Sequence, residues 1–362
     1  MLVKGVLVER QPMIVGAPPK TLKTSVMCDL AVSLATGTPF LGHFAICRPV
    51  KVALFSGESG EWTLAQTLAR VCRTRGLDPD ATVGKMVVQP DGLPQLSNAA
   101  HMDYLRWMLA REGVEVFILD PLYLTLLAGM KGDLGMASNL YAMGPLFQNV
   151  TGACLQAGAT PALVHHTQRA AARSREPLGL EDLAYSGVAE FARQWVLMSR
   201  REDYDGGSPG SHKLWLNAGG SAGHGGLWAL DVEEGEAGDD LDGRVWDVTV
   251  STATEAKHSA KAVKDLTKKQ EQMEADQRGE LALMAAIISS KSARRTTTRF
   301  GQRAGGSSPI CCSMASRSTP SRERSASSTS TRLVKASALW LPSTSWGLRP
   351  TTVASTTRSK GA

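Results

Sequence analysis

The stretch from Met13 to Ala35 constrains this chain more than any other. Met13-Ile14-Val15 is a short apolar strand pattern, Val26–Ala35 is patterned as a helix, and ten residues join them. Those ten are Gly16, Ala17, Pro18, Pro19, Lys20, Thr21, Leu22, Lys23, Thr24 and Ser25. A strand that turns through a Gly/Pro loop into a helix start aims loop N–H groups and the positive end of the helix dipole at one point, which suits phosphate. In such a loop a lysine spans the phosphate oxygens and the next hydroxyl binds Mg²⁺. Lys23 and Thr24 stand in those places, with Lys20 as a further phosphate contact or a solvent-exposed side chain. The fit to the pattern G-x-x-x-x-G-K-[ST] is partial, because Ala17 and Leu22 occupy its two glycine positions. An ordinary strand–turn–helix with exposed lysines is the competing reading.

Composition narrows the class. A chain of 362 residues can bury a core in one or two domains. Cys28, Cys47, Cys72, Cys154, Cys311 and Cys312 lack metal-ligand or paired spacing, which suits a reducing compartment. A signal pattern and an apolar run of about 18 residues are both missing, so a cytoplasmic protein with no membrane partner is expected. The net charge of +6 hides a break. Residues 292–362 hold twelve Lys/Arg and one acid, Glu323, whereas the first 291 hold 28 bases and 33 acids. Ser and Thr supply 27 of those 71 tail residues, so the tail is expected to be disordered. It reads either as a basic nucleic-acid-binding tail or as the product of a shifted reading frame. The second reading is favoured because the apolar helix pattern Glu280–Ile288 opens a small domain that the residues after Ser290 do not continue.

Apolar strand patterns recur at Val52–Ser56, Met86–Gln89, Val114–Asp120 and Pro161–His165. Helical patterns at Thr63–Arg75, Ala99–Arg111 and Met136–Ala157 separate them, with Gly37, Gly76, Gly113 and Gly158 at the expected helix ends. The alternation predicts an α/β fold with a mostly parallel central sheet flanked by helices. Gln194–Arg200, Lys213–Asn217, Leu227–Asp231 and Val245–Val250 are short strands between Gly/Asp-rich turns, so antiparallel strands should close the C-terminal edge. Gly219–Gly226 reads as a mobile loop or a glycine-rich hairpin turn. Glu255–Gln277 is highly charged and reads as a solvated helix or linker. The expected division is a domain over 1–253, a charged helical linker and start of a small domain over 254–291, and the tail over 292–362.

Four features fall where strands end. Asp120 closes an apolar strand and can hold Mg²⁺ together with Thr24. Glu58, just past Val52–Ser56, can act as general base on water, and Glu61 is its nearby competitor, better explained as a first-turn helix residue. His165 and His166 end a third strand, placed to sense a γ-phosphate; structural histidines or a metal site are the rival readings. Arg193, Arg200 and Arg201 are candidates for an arginine reaching a neighbouring subunit's nucleotide.

Together these residues resemble the RepA-like AAA family, a branch of the RecA-fold P-loop NTPases related to plasmid hexameric replicative helicases and DnaB-type helicases. The resemblance is carried by Gly16–Ser25, Leu30–Gly42, Phe55–Glu58, Leu119–Tyr123, His165–Thr167 and Glu190–Arg193, with Ala35–Gly42 its most specific part. It implies a RecA-like domain that binds ATP and Mg²⁺, with Lys23 and Thr24 as ligands, Glu58 catalytic, Asp120 on the metal and His165 or His166 on the γ-phosphate. It also implies a hexamer with ATP between subunits and single-stranded DNA in a central channel, acting in replication or mobilisation of a mobile element. Leu22, and the absence of a Lys/Arg pair near Asn217–His224, depart from the family pattern. An ATP-binding regulator with little turnover and a P-loop small-molecule kinase are the alternatives.

Overall fold

The computed structural model describes residues 1–127, 140–185, 187–204, 207, 210–236, 243–297 and 339–340. The chain divides into two units, 1–256 with 335–362, and 257–334.

The first unit is built on a sheet whose strands follow the apolar runs of the sequence: β1 (Met13–Ala17), β2 (Val52–Ser56), β3 (Met86–Gln89), β4 (Val116–Asp120), β5 (Thr160–His166) and β6 (Gln194–Arg200). These six run parallel in the spatial order β3-β2-β4-β5-β1-β6. Then β7 (Ser211–Gly220), β8 (Gly225–Glu233) and β9 (Asp247–Thr252) add antiparallel beyond β6, the edge that the sequence predicts. A two-residue strand, β10 (Leu339–Trp340), pairs parallel with β3. Continuous apolar strands fit a sheet covered on both faces. Alternation divides β1 accordingly, with Met13 and Val15 in one buried cluster and Ile14 in the other.

Helices α1 (Lys23–Thr36) and α2 (Gly60–Thr74) belong with the first cluster, and α3 (Ala99–Glu112) and α5 (Leu140–Gln156) with the second. The sequence-predicted helix start at Met136 lies outside the described residues. Two short helices, α4 (Leu122–Leu127) and α6 (Val188–Phe191), were not legible as patterns because neither spans two turns. Gly219–Gly226 is a tight hairpin turn between β7 and β8. The Trp195 ring lies so close that a Cβ on Gly219 would sit 2.4 Å from it.

A buried carboxylate braces this unit. Asp29 of α1 accepts from the Leu41 N–H at 2.8 Å, Trp246 Nε1 at 2.7 Å and Arg75 Nη2 at 2.6 Å. Arg75 also donates to Thr38 Oγ1, and Phe40 is wholly buried beside them. The segment Ala35–Gly42 therefore serves packing: it returns the chain from α1 into a polar knot that reaches as far as Trp246.

The charged stretch beyond β9 is one helix, α7 (Ala253–Thr297), which supplies the described part of the second unit. It joins what the sequence divided into a charged segment and an apolar helix, and Leu266, Met273, Leu281 and Ile288 on it are exposed. Apart from residues 292–297, which extend α7, and β10, the tail lies outside the described residues. Among the described residues no helix is long and apolar enough to cross a membrane, and no cluster of His, Cys, Asp and Glu has the makings of a metal site of three or more such ligands.

Candidate active site

Register brings the ends of four strands to one edge. Gly16 pairs with His165 and Ser56 with Asp120, so β2, β4, β5 and β1 finish side by side in that order. Each then presents its functional group: Glu58 two residues past β2, Asp120 at the end of β4, His166 at the end of β5, and the loop Pro18–Leu22 past β1. A cleft of about 690 Å³ opens there, lined by Lys23, Thr24, Glu58, Asp120 and His166 together with Arg200.

The loop reaches α1 through two left-handed residues, Lys20 (φ 58°) and Leu22 (φ 57°). Leu22 is the position where the general pattern has glycine, and the backbone keeps a glycine-like conformation there despite the side chain. The half-buried Leu22 side chain packs on the core cluster of α1, which offsets that strain. Gly16 is required for a different reason. A Cβ on it would lie 2.4 Å from Leu183 and 2.8 Å from Leu197, so its role is close packing beneath the loop.

Lys23 is buried, and its Nζ donates to the carbonyls of Ala17 (3.2 Å) and Pro18 (2.8 Å), folding back over the loop. Burial pulls its ammonium down to about 8, against the attraction of Asp120 and Glu58. Burial likewise pushes Asp120 up to about 6, although the Thr24 hydroxyl and Lys23 favour its ionised form. Thr24 Oγ1 donates to Asp120 Oδ2 at 2.6 Å, joining the start of α1 to the end of β4 across 96 residues of chain. A hydroxyl and a carboxylate at this distance form a hard-oxygen pair, the donor chemistry that Mg²⁺ takes.

The adjacent histidines part company, as alternation along a strand requires. His166 lines the cleft, its ring 5.3 Å from that of Tyr123 and its Nδ1 buried without a partner among the described residues. His165 turns to the opposite face: its Nε2 meets the Ala184 carbonyl at 2.9 Å, and burial lowers its imidazole to about 4. The sequence left the two open; His165 lies outside the cleft and has a packing environment.

The arginines separate as well. Arg200, expected as a candidate to reach a neighbour, lines its own chain's cleft, donating to the Lys20 carbonyl at 2.6 Å with its guanidinium over the Tyr204 ring. Arg201 is ion-paired with Asp231, and Arg193 is exposed. Glu61 falls in the first turn of α2 and does not line the cleft.

A second pocket of about 340 Å³ shares Leu22, Thr24 and Ser25 with the first and is walled by Trp62 and Arg70. Its polar anchor is Glu234, which takes Arg70 at 2.7 Å, Arg244 at 2.9 Å and His212 Nε2 at 3.3 Å. Burial, the largest influence, would raise the Glu234 carboxyl, but these partners together hold it below its ordinary value. Arg70 also donates to Ser25 Oγ at 3.1 Å, so this network steadies the first turn of α1. No local pattern announces this network, since its members are brought together from distant parts of the chain.

The lysine- and carboxylate-lined cleft sits at the C-terminal ends of the parallel strands, the place where open α/β sheets bind their ligands. A family model described as an AAA domain matches residues 1–172, a little under half of the chain. That match supports nucleotide binding and hydrolysis by the region holding the phosphate loop, Glu58, Asp120 and His166. No curated protein matches. Among solved structures the chain is similar to the crystal structure of the RadB recombinase, at 13% identity and a TM-score of 0.42, covering 64% of this chain and 88% of that one.

Proposed function

We propose that this chain is a RecA-like, Mg²⁺-dependent ATPase of RepA type that works on DNA as a ring, with ATP bound between subunits. The observation that carries the reading is the meeting of Lys23, Thr24, Glu58, Asp120 and His166 in one cleft at the end of the parallel strands. Lys23 would leave the Ala17 and Pro18 carbonyls and turn to the β- and γ-phosphates. Thr24 and Asp120 would hold Mg²⁺, which neutralises phosphate charge when bound. Glu58 would accept a proton from the attacking water, and His166 would register the γ-phosphate. The pocket walled by Trp62 meets the cleft at Leu22 and Thr24, which suits a nucleoside whose phosphates lie over the loop.

For the DNA-facing side, the chain past His166 supports the reading. Arg169 and Arg173 are exposed on the segment that follows β5 directly, where loss of a phosphate contact by His166 could be felt. With Arg200 engaged in its own cleft and Arg201 paired with Asp231, Arg193 is the favoured arginine for a neighbouring subunit.

ATP turnover measured with and without single-stranded DNA, beside a Lys23→Ala control, tests this. We expect DNA-stimulated turnover that the control lacks. Turnover only with a small-molecule acceptor would make the chain a kinase, and binding without turnover would make it a regulator.

A further inference from the structure

Glu58 lies on the short turn between β2 and α2 and is exposed, so its own backbone does little to fix its side-chain torsions. Holding such a side chain still costs about 1.5–2 kcal/mol of rotamer freedom. The structure holds it from another strand's end. Tyr123 Oη donates to Glu58 Oε1 at 2.5 Å, across 65 residues of chain. Tyr123 is the second residue of α4, three positions after Asp120, so the backbone that places the candidate metal carboxylate also places this hydroxyl. Its ring is itself set against His166. The hydrogen bond, with burial second, pushes the Tyr123 phenol up to about 12, so it stays a donor throughout the working range.

We propose that Tyr123 is the positioning residue for Glu58: its hydroxyl ties down one carboxylate oxygen and leaves the other free to face water in the cleft. This rests on the reading of Glu58 as the general base. A carboxylate swinging freely would spend much of its time away from the γ-phosphate, and a misplacement of about 1 Å can cost a hundredfold in rate. The tie also couples Glu58 to His166 through one aromatic ring, so a group that touches the phosphate and a group that activates water share a wall.

Tyr123→Phe keeps the ring and removes only the hydroxyl. We expect kcat for ATP to fall about tenfold or more with KM changed less than about twofold. The other charged or titratable groups facing Glu58, namely Lys23 from α1, Asp120 from β4 and His166 from β5, are untouched by the substitution. In a Glu58→Gln background the same substitution should have no further effect on residual turnover. Independently of activity, fluorine NMR of fluorotyrosine-labelled protein should show one resonance, assigned by its loss in Tyr123→Phe, that moves in Glu58→Gln. If the wild type turns over ATP, an unchanged kcat in Tyr123→Phe would overturn the assignment and leave the ATPase reading intact. Absence of turnover in the wild type would remove both. A Tyr123 resonance indifferent to Glu58→Gln would refute the contact itself.

Discussion

Replacing Asp120 by Asn should make the ligand-free protein more stable. Asp120 is 2% exposed, and moving its carboxyl from 3.8 to about 6 means that the folded state resists its ionisation. Between those values the folded chain holds a proton that the unfolded chain has released, so stability falls as pH rises through the window and stays lower above it. The accumulated cost above the window is about 3 kcal/mol, and near pH 5 roughly half of that. Asparagine carries no charge and keeps an oxygen for the Thr24 hydroxyl, which now donates to Oδ2 at 2.6 Å. For a unit of this size each kcal/mol shifts Tm by about 2–4 °C, so the variant should melt about 6–12 °C above wild type near pH 7.5. The gap should narrow by about half near pH 5. Thermal denaturation in metal-free buffer at both pH values reads it. MgATP at a hundredfold excess over its Kd should then restore about 2.7 kcal/mol to wild type and little to the variant. An Asn variant no more stable than wild type near pH 7.5, or a gap indifferent to pH, would refute the reasoning.

Other substitutions probe separate parts of the unit. Asp29→Ala leaves Arg75 and the Trp246 indole without their buried acceptor and should cost about 3–5 kcal/mol in urea unfolding; a loss under 1 kcal/mol would dismiss the brace. Gly16→Ala drives a methyl into Leu183 and Leu197, and about 1–3 kcal/mol of destabilisation is expected by the same assay, with wild-type behaviour as the contrary result. Leu22→Gly relieves about 1–2 kcal/mol of left-handed strain but loses packing and stiffens nothing in the unfolded chain, so stability should stay within about 1 kcal/mol of wild type. A loss above about 3 kcal/mol would show that Leu22 packing matters more than its backbone. Glu58→Gln should keep nucleotide affinity, read by fluorescent ATP-analogue titration, and lower turnover by at least about a hundredfold; unchanged turnover would move the base elsewhere.

The strands were legible because each is a short, unbroken apolar run, and their order of appearance set the helix-covered sheet. Thr24 and Asp120 were legible for a related reason: each sits at an element boundary marked by a change of residue type. What escaped depends on distance. The choice between His165 and His166 is a matter of one residue's direction on a strand, fixed only when β1 and β4 take their places on either side. Tyr123 and Glu58 belong to different crossovers, and no local pattern announces that they meet. Arg200 was open as a candidate to reach another subunit because the contact that turns it into its own cleft, the Lys20 carbonyl, lies 180 residues away. Ala35–Gly42 was the most specific stretch for the family resemblance, yet its side chains build the Asp29 knot rather than the cleft.

The lodging of β1 between β5 and β6 has a practical corollary for anyone trimming this polypeptide. A fragment stopping at residue 172, where the AAA match ends, lacks Gln194–Leu197, the partners of Met13–Gly16. It would expose the backbone rim of an apolar strand that is meant to be interior, a ready template for intermolecular pairing. Soluble expression should therefore require a terminus beyond Trp246, and inclusion bodies from the shorter piece would reflect its missing neighbour, not a faulty nucleotide site.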